Sequence, residues 1–441
     1  MRLSRDPPCA THKTQNILAM KMRQAITIGI VIALLSAAPL AGCDVLDTSN
    51  PNSLVEEDLQ SPRGASSLKN GLLNALMDGT SWAYAPLSAA SDEMRWQGSY
   101  ESFQGFQVGR LDRPANEITN NTWPEISEAR WLADEAIDRL TTLEEEDRLP
   151  QASTLTETYL YSALTRIQIA DTYNNFVYSD KQDAGEPIGA DNMDQVYDEA
   201  IDHLGIAIDR ARSSGNGDLE MKALGLRARA RHAKAVWNKL NPPGAPSDPI
   251  VSDISGAAED AQNALDMMES DYRAEFDYFG PQVDNYVSGQ VNNRAELAIN
   301  GDVEDPKTGN QDPRIAQAID RFTNIERFTA NFAPLTWLSA REMRLIIAED
   351  ELGRGNERLA RQELNDLRAM NDLPPIDPDD DLVTYLEHER RANLFLQGRR
   401  LNDMFRFGSK SKTWQSSESA VQNPGELLPI PASEIATNPN L

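Results

Sequence analysis

Cysteine is nearly missing from this sequence: among 441 residues only Cys9 and Cys43 carry a thiol, both close to the N-terminus. The rest of the chain therefore has no disulfide and no thiolate metal site, and must hold together by packing. Histidine is almost as scarce. His12, His203, His232 and His388 stand far apart, and "HERRA" at 388 lacks the second histidine of a zinc-binding HExxH helix. "GTSWA" at 79 ends on Ala83 where a nucleophile elbow needs glycine. "DPDDD" at 377 sets Asp377, Asp379 and Asp381 at calcium-loop spacing, yet Leu382 and His388 occupy the positions that need Gly and Glu. There is no glycine-rich phosphate loop either. With no grouping of nucleophile, base and orienting residue, the sequence reads as a non-enzyme without cofactor or metal.

Positive charge is also in short supply. Lys and Arg number 42 against 69 Asp and Glu, a formal charge of -27, and only 10 of the basic residues are Lys. Nucleic acid and anionic lipid surfaces are disfavoured partners, because holding phosphates needs clustered cations. A surface this acidic and this poor in Lys suits solvation in concentrated salt, though a GC-rich genome also favours Arg over Lys.

Long apolar runs are missing except for one. Ala25 to Leu40 follows the basic pair Lys21 and Arg23 and leads through Ala41 and Gly42 to Cys43, the anatomy of a secretory signal. The run falls short of the roughly 20 residues that span a bilayer, and Pro39 would break its end. Leu40-Ala41-Gly42-Cys43 resembles the bacterial lipobox, in which the cysteine is acylated and the chain is cut just before it. A multiply acylated Cys43 would anchor an otherwise soluble chain to a membrane. Residues 1–42 are then a removed leader, and losing its five basic and one acidic residues takes the charge from -27 to about -31. Met20 or Met22 could be the true start.

Residues 43–441 have enough apolar content for a large core. From Trp123 to about Ser270 the apolar period is helical: Ile126, Ala129, Ala133, Ile137 and Leu140 share one face, as do Leu160, Ala163, Leu164, Ile167 and Ala170, and then Val196, Ala200, Ile201, Leu204, Ala207, Ile208 and Ala211. Met221 to Trp237 is apolar on two sides, and Ser255 to Met268 continues the series. Successive Ala-rich pairs of this kind predict a mainly α, degenerate tetratricopeptide-like stack over about 115–270 and 336–372. Segments 271–335 and 373–441, rich in Gly, Pro, Asn and aromatics, read as irregular layers laid over it. In the tail, Pro429 and Pro431 hold "LPIP" extended as a strip that clamps the body, with Ser433 placed to cap a short turn.

Aromatics supply the candidate binding residues. Trp82, Tyr84, Trp96, Tyr100, Phe103 and Phe106 crowd a Gly/Ser-rich stretch lacking clear helical order. Rings beside hydroxyls and amides suit sugar faces, while the plainer expectation is that most of them are core. A second cluster holds Tyr272, Phe276, Tyr278, Phe279 and Tyr286. Trp82, Tyr84, Trp96, Tyr100, Tyr278 and Tyr286 are the ligand candidates.

In order along the chain, "SDEMRW" (91–96), "TWPEISEARWLADEAIDRL", "DPR" (312–314), "REMRLIIAEDEL", "HERRANLFLQGRRLNDMFRFG" and "LLPIPASEIATNPNL" resemble the segments of the SusD/RagB family of nutrient-uptake outer-membrane lipoproteins. Asn393 and Gln397 depart from it, standing where the family usually carries Glu. The resemblance implies a surface-exposed, lipid-anchored protein that lids a SusC-like TonB-dependent transporter and passes it oligosaccharide or another nutrient. The competing expectation is a tetratricopeptide-like lipoprotein scaffold that joins an envelope complex and binds no nutrient. Glu389, Arg390, Arg391, Arg399 and Arg400 are expected to form a structural ion-pair network rather than an anion site.

Overall fold

The computed structural model describes residues 61–180, 183–279, 283–324 and 330–441. The leader, the lipobox and Cys43 lie outside them. The elements that matter for function are α1 (Ala65–Ala90), β1 (Met94–Trp96), α2 (Glu101–Gln107), α3 (Glu117–Glu145), α4 (Ala152–Thr172), α5 (Asp194–Ser214), α6 (Gly217–Leu240) and α7 (Ser255–Leu265). After them come β2 (Arg273–Phe276), β3 (Leu297–Ile299), α8 (Pro313–Thr323), β4 (Leu335–Ser339), α9 (Ala340–Gly353), α10 (Glu357–Ala369), α11 (Leu382–Asn393) and α12 (Arg400–Phe407).

Local chemistry sets these helices. The Asn116 side chain accepts from the amides of Ile118 and Thr119 to start α3. Gly215, in the left-handed region at φ 67, ends α5, and Asn216 immediately caps α6. Of the apolar stripe of α5, Val196, Ala200, Leu204, Ala207, Ile208 and Ala211 are buried and Ile201, at its edge, is half-buried. Helices α3 to α7 pack each on the next; α7 then packs on α9, and α9 on α10. The result is the mainly α stack of helical pairs.

Three features differ from the sequence reading. Residues 65–90 form one long helix, α1, packed on α3 and α4. Between Gly79 and Ala90 every residue but Trp82 is buried, so there is no polar face to reveal a helical period, and Pro86 hides it further. The basic-acidic segment after 382 is two helices, because Leu396 (φ 59) and Gly398 (φ 74) turn the chain between α11 and α12. A Cβ on Gly398 would press on the Tyr84 ring at 2.7 Å, so the turn needs glycine both for its backbone and for its contact. Segment 271–335 carries strands: β1 pairs antiparallel with β3, and β2 with β4.

The tail lies as an extended strip. Leu428 donates to Thr172 and accepts from Asn174 at the end of α4. Ser433 sits inside the final turn rather than capping it, and its amide donates to Asn120 Oδ1. Among the described residues no helix is long and apolar enough to cross a membrane.

Candidate functional site

The six aromatic candidates do not share one surface. Tyr84 and Tyr278 are core residues, 2 % and 5 % exposed, and the Tyr278 hydroxyl donates to the Met77 carbonyl 2.8 Å away. Both are corrected from ligand candidates to packing residues, since no ligand reaches a ring at that depth. Trp96 is half-buried against the core, and its indole Nε1 has no partner. Phe103 and Phe106 are fully buried.

Trp82 and Tyr286 behave differently. Their rings stack with centroids 3.5 Å apart and planes 12° from parallel. Both line a cavity of about 270 Å³ together with Asp78, Asp284, Gln290, Asn293, Arg294 and Asn331. The pairing follows from local structure. Asp78 and Trp82 lie four residues apart on α1 and so share a face. The Ser81 hydroxyl donates to the Asp78 carbonyl and accepts from the Tyr286 amide, fixing the incoming chain against α1. Asn285 donates its side-chain amide to the Ala333 carbonyl and caps the turn at Ser288.

Behind Tyr286 the chain widens into a π-helical turn, Gly289–Asn293, closed by the Arg294 amide donating to the Gly289 carbonyl at 2.9 Å. Such turns are rare and often accompany functional sites. This one presents Asn293 and Arg294 to the cavity, and the Arg294 guanidinium lies 5.8 Å from the Tyr100 ring centre. Tyr100 is held by Glu296, whose carboxylate accepts from the amides of Ser99 and Tyr100 at 2.7 and 2.8 Å. A Cβ at Gly98 would overlap that carboxylate.

The cavity is polar and mixed in charge. Burial raises the Asp78 carboxyl to about 7, with further upward pressure from Glu125 and Asp284. Asp78 thus changes charge near neutrality, opposite the fixed cation of Arg294. Gln290 backs the cavity from just beneath its surface, buried, with its Oε1 lacking a partner within the protein. Amides, two acids and one cation beside a double ring can receive a polyhydroxylated ligand that offers both an apolar face and many O–H groups.

The sequence reading named Trp82, Tyr100 and Tyr286 but missed Asp78, Asp284, Gln290, Asn293, Arg294 and Asn331. Asp78 was legible only once α1 is a helix, four residues before Trp82. The Asn-rich run around 292 carried no periodic signal.

The other sequence features have plain roles. Arg390 pairs with Asp403, Arg399 with Asp171, Arg400 with Asp92 and Glu387, and Glu389 with Arg314 and Arg368, a structural network as expected. Asp381 caps α11, while Asp377 and Asp380 hold Lys307, so two of the three acids at calcium-loop spacing, Asp377 and Asp381, are committed to a lysine and a cap.

The chain folds as a helical stack with a loop-borne cleft. Its fold is that of the SusD superfamily. The chain is similar to a SusD homolog from Bacteroides thetaiotaomicron (TM-score 0.63, 14 % identity, 88 % of this chain and 98 % of that one). It is similar also to a SusD superfamily protein from Bacteroides fragilis (0.61, 15 %, 86 % and 99 %) and to a SusD-like carbohydrate binding protein from Bacteroides vulgatus (0.53, 14 %, 79 % and 84 %). No protein-family model and no curated relative matches the sequence.

Proposed function

We propose that the chain captures glycans at the Trp82–Tyr286 site, without chemistry of its own. It would do so as a lipid-anchored outer-membrane partner of a SusC-like TonB-dependent transporter, to which it hands the ligand. The observation that carries the reading is the ring pair at a polar cavity, where a ring face outside the stack can take a sugar's C–H face and the neighbouring polar groups its hydroxyls. The shared fold with a carbohydrate-binding structure supports it.

The test is calorimetric titration of neutral and acidic glycans into wild type, Trp82→Ala and Tyr286→Ala. Each variant should lose about 2 kcal/mol of binding with little change in melting. Tyr84→Ala, a core truncation, should instead cost about 3–5 kcal/mol of folding. Unchanged affinity in both platform variants would end the glycan reading. Co-purification with a barrel transporter, abolished by Cys43→Ala if anchoring is required, tests the partner.

A further inference from the structure

Lysine is so scarce here that each one is informative. Among the described residues Lys69, Lys222, Lys234, Lys239 and Lys307 each sit beside a carboxylate. Lys410 and Lys412 do not; both are exposed, two residues apart, just after α12. They line a cleft of about 560 Å³ with Arg95, which is exposed on β1 and likewise without an acidic partner. The cleft is distinct in its lining from the cavity at Trp82.

Its floor is built of fixed charge. One carboxylate, Asp92, holds both Arg391 at 2.8 Å and Arg400 at 2.9 Å, and Glu387 takes the far side of Arg400 at 3.0 Å. Arg391 keeps a buried Nε with no partner. The floor is therefore neutral overall, and Arg95, Lys410 and Lys412 at the rim face the single countercharge of Asp302. His388, which also lines the cleft, is engaged by Asp312 at 2.9 Å. In a chain of charge -27 this is a local cationic hollow, and at physiological ionic strength fields beyond about 8 Å are screened, so the hollow rather than the net charge governs what enters.

We propose that this cleft is a second binding site, for the carboxylate or sulfate groups of an acidic saccharide. The inference rests on the glycan reading only for the saccharide character of the ligand. Unpaired cations at the rim supply the oxyanion contacts. On the walls the Thr384 and Ser409 hydroxyls donate to Asp381 and Glu387 and keep lone pairs that can accept from sugar O–H groups. A lipid surface is the poorer occupant, since it is flat where the cleft is concave and would face the repulsion of the acidic remainder. Nucleic acid would want aromatic stacking platforms, and none lines the cleft.

The experiment titrates oligogalacturonate and a sulfated galactan oligosaccharide into the full chain, its Lys410→Gln/Lys412→Gln variant and its Lys410→Arg/Lys412→Arg variant. Both pairs lie on an exposed segment, so folding is not at stake. At least one saccharide should bind, weaken about tenfold or more in the Gln variant, recover in the Arg variant, and weaken as salt rises. The proposal is overturned if neither saccharide binds wild type, or if both bind the Gln variant as tightly. It is overturned too if the Gln variant loses only adsorption to phosphatidylglycerol vesicles. Trp82→Ala, measured in parallel on neutral glycans, reports on the ring platform alone, so failure of one site is distinguishable from failure of the other.

Discussion

Glu93, 1 % exposed beside the paired Asp92, receives the Leu396 amide at 2.9 Å but no cation of its own. Burial raises its carboxyl to about 7, the Leu396 amide offsets part of this, and Asp92 adds to it. A carboxyl whose folded value lies above its unfolded value favours the fold fully below about pH 4.5 and loses that contribution as pH rises through about 7. Glu93→Gln keeps the shape and an acceptor for Leu396 without the charge. Its stability relative to wild type should therefore climb between pH 5 and pH 8, by at most about 3 kcal/mol. Urea melts of both proteins at the two pH values check this, and a constant gap would refute it. Glu342 runs the opposite way. Burial opposes its charge, yet Arg229 and Arg399 hold it down at about 2, so its contribution is lost only as pH falls from about 4.5 through 2. At this scale the sequence told which residues were aromatic or acidic but not their depth. Tyr84 and Trp82 are two positions apart, and only the phase of α1 sends one into the core and the other to the cavity.

Buried ion pairs join α8, α10 and α11. Arg314 and Arg368 both clasp Glu389, each with a second carboxylate, Asp312 and Asp305. Asn393, one turn along α11, donates to Glu389 and accepts from Arg341 at 3.1 Å. An amide at this position joins Glu389 to Arg341 without setting a second anion beside the first. Glu389→Gln should cost about 3 kcal/mol, because two guanidiniums lose a buried counterion. Glu146→Gln, whose partner Arg148 is half exposed, should cost under about 0.5 kcal/mol. Denaturant midpoints of the two variants separate the cases, and equal losses would contradict the assignment. Helices with a one-sided apolar stripe, such as α3 and α5, were legible from spacing. Helix α1, buried nearly all round over its second half, and the short β1–β3 and β2–β4 ribbons were not: a helix without a polar face shows no period, and strands of three to five residues are too brief to show alternation.

Over the whole molecule, the excess of carboxylates repels itself wherever no Arg answers it. Melting temperature should rise between low salt and molar KCl, well past the range in which simple screening at about 0.15 M is complete; a flat or falling curve in a thermal scan would exclude salt adaptation. Trp82 and Tyr286 are 204 residues apart in sequence, and β1 meets β3 across a similar span. The binding surface therefore exists only after a very long loop has closed, an entropic cost met by the fold as a whole. A ligand seated between two such distant segments acts as a reversible cross-link. At a concentration 100 times its dissociation constant it adds about 2.7 kcal/mol to global stability, so a cognate glycan should slow proteolysis throughout the helical stack, far from any atom it touches.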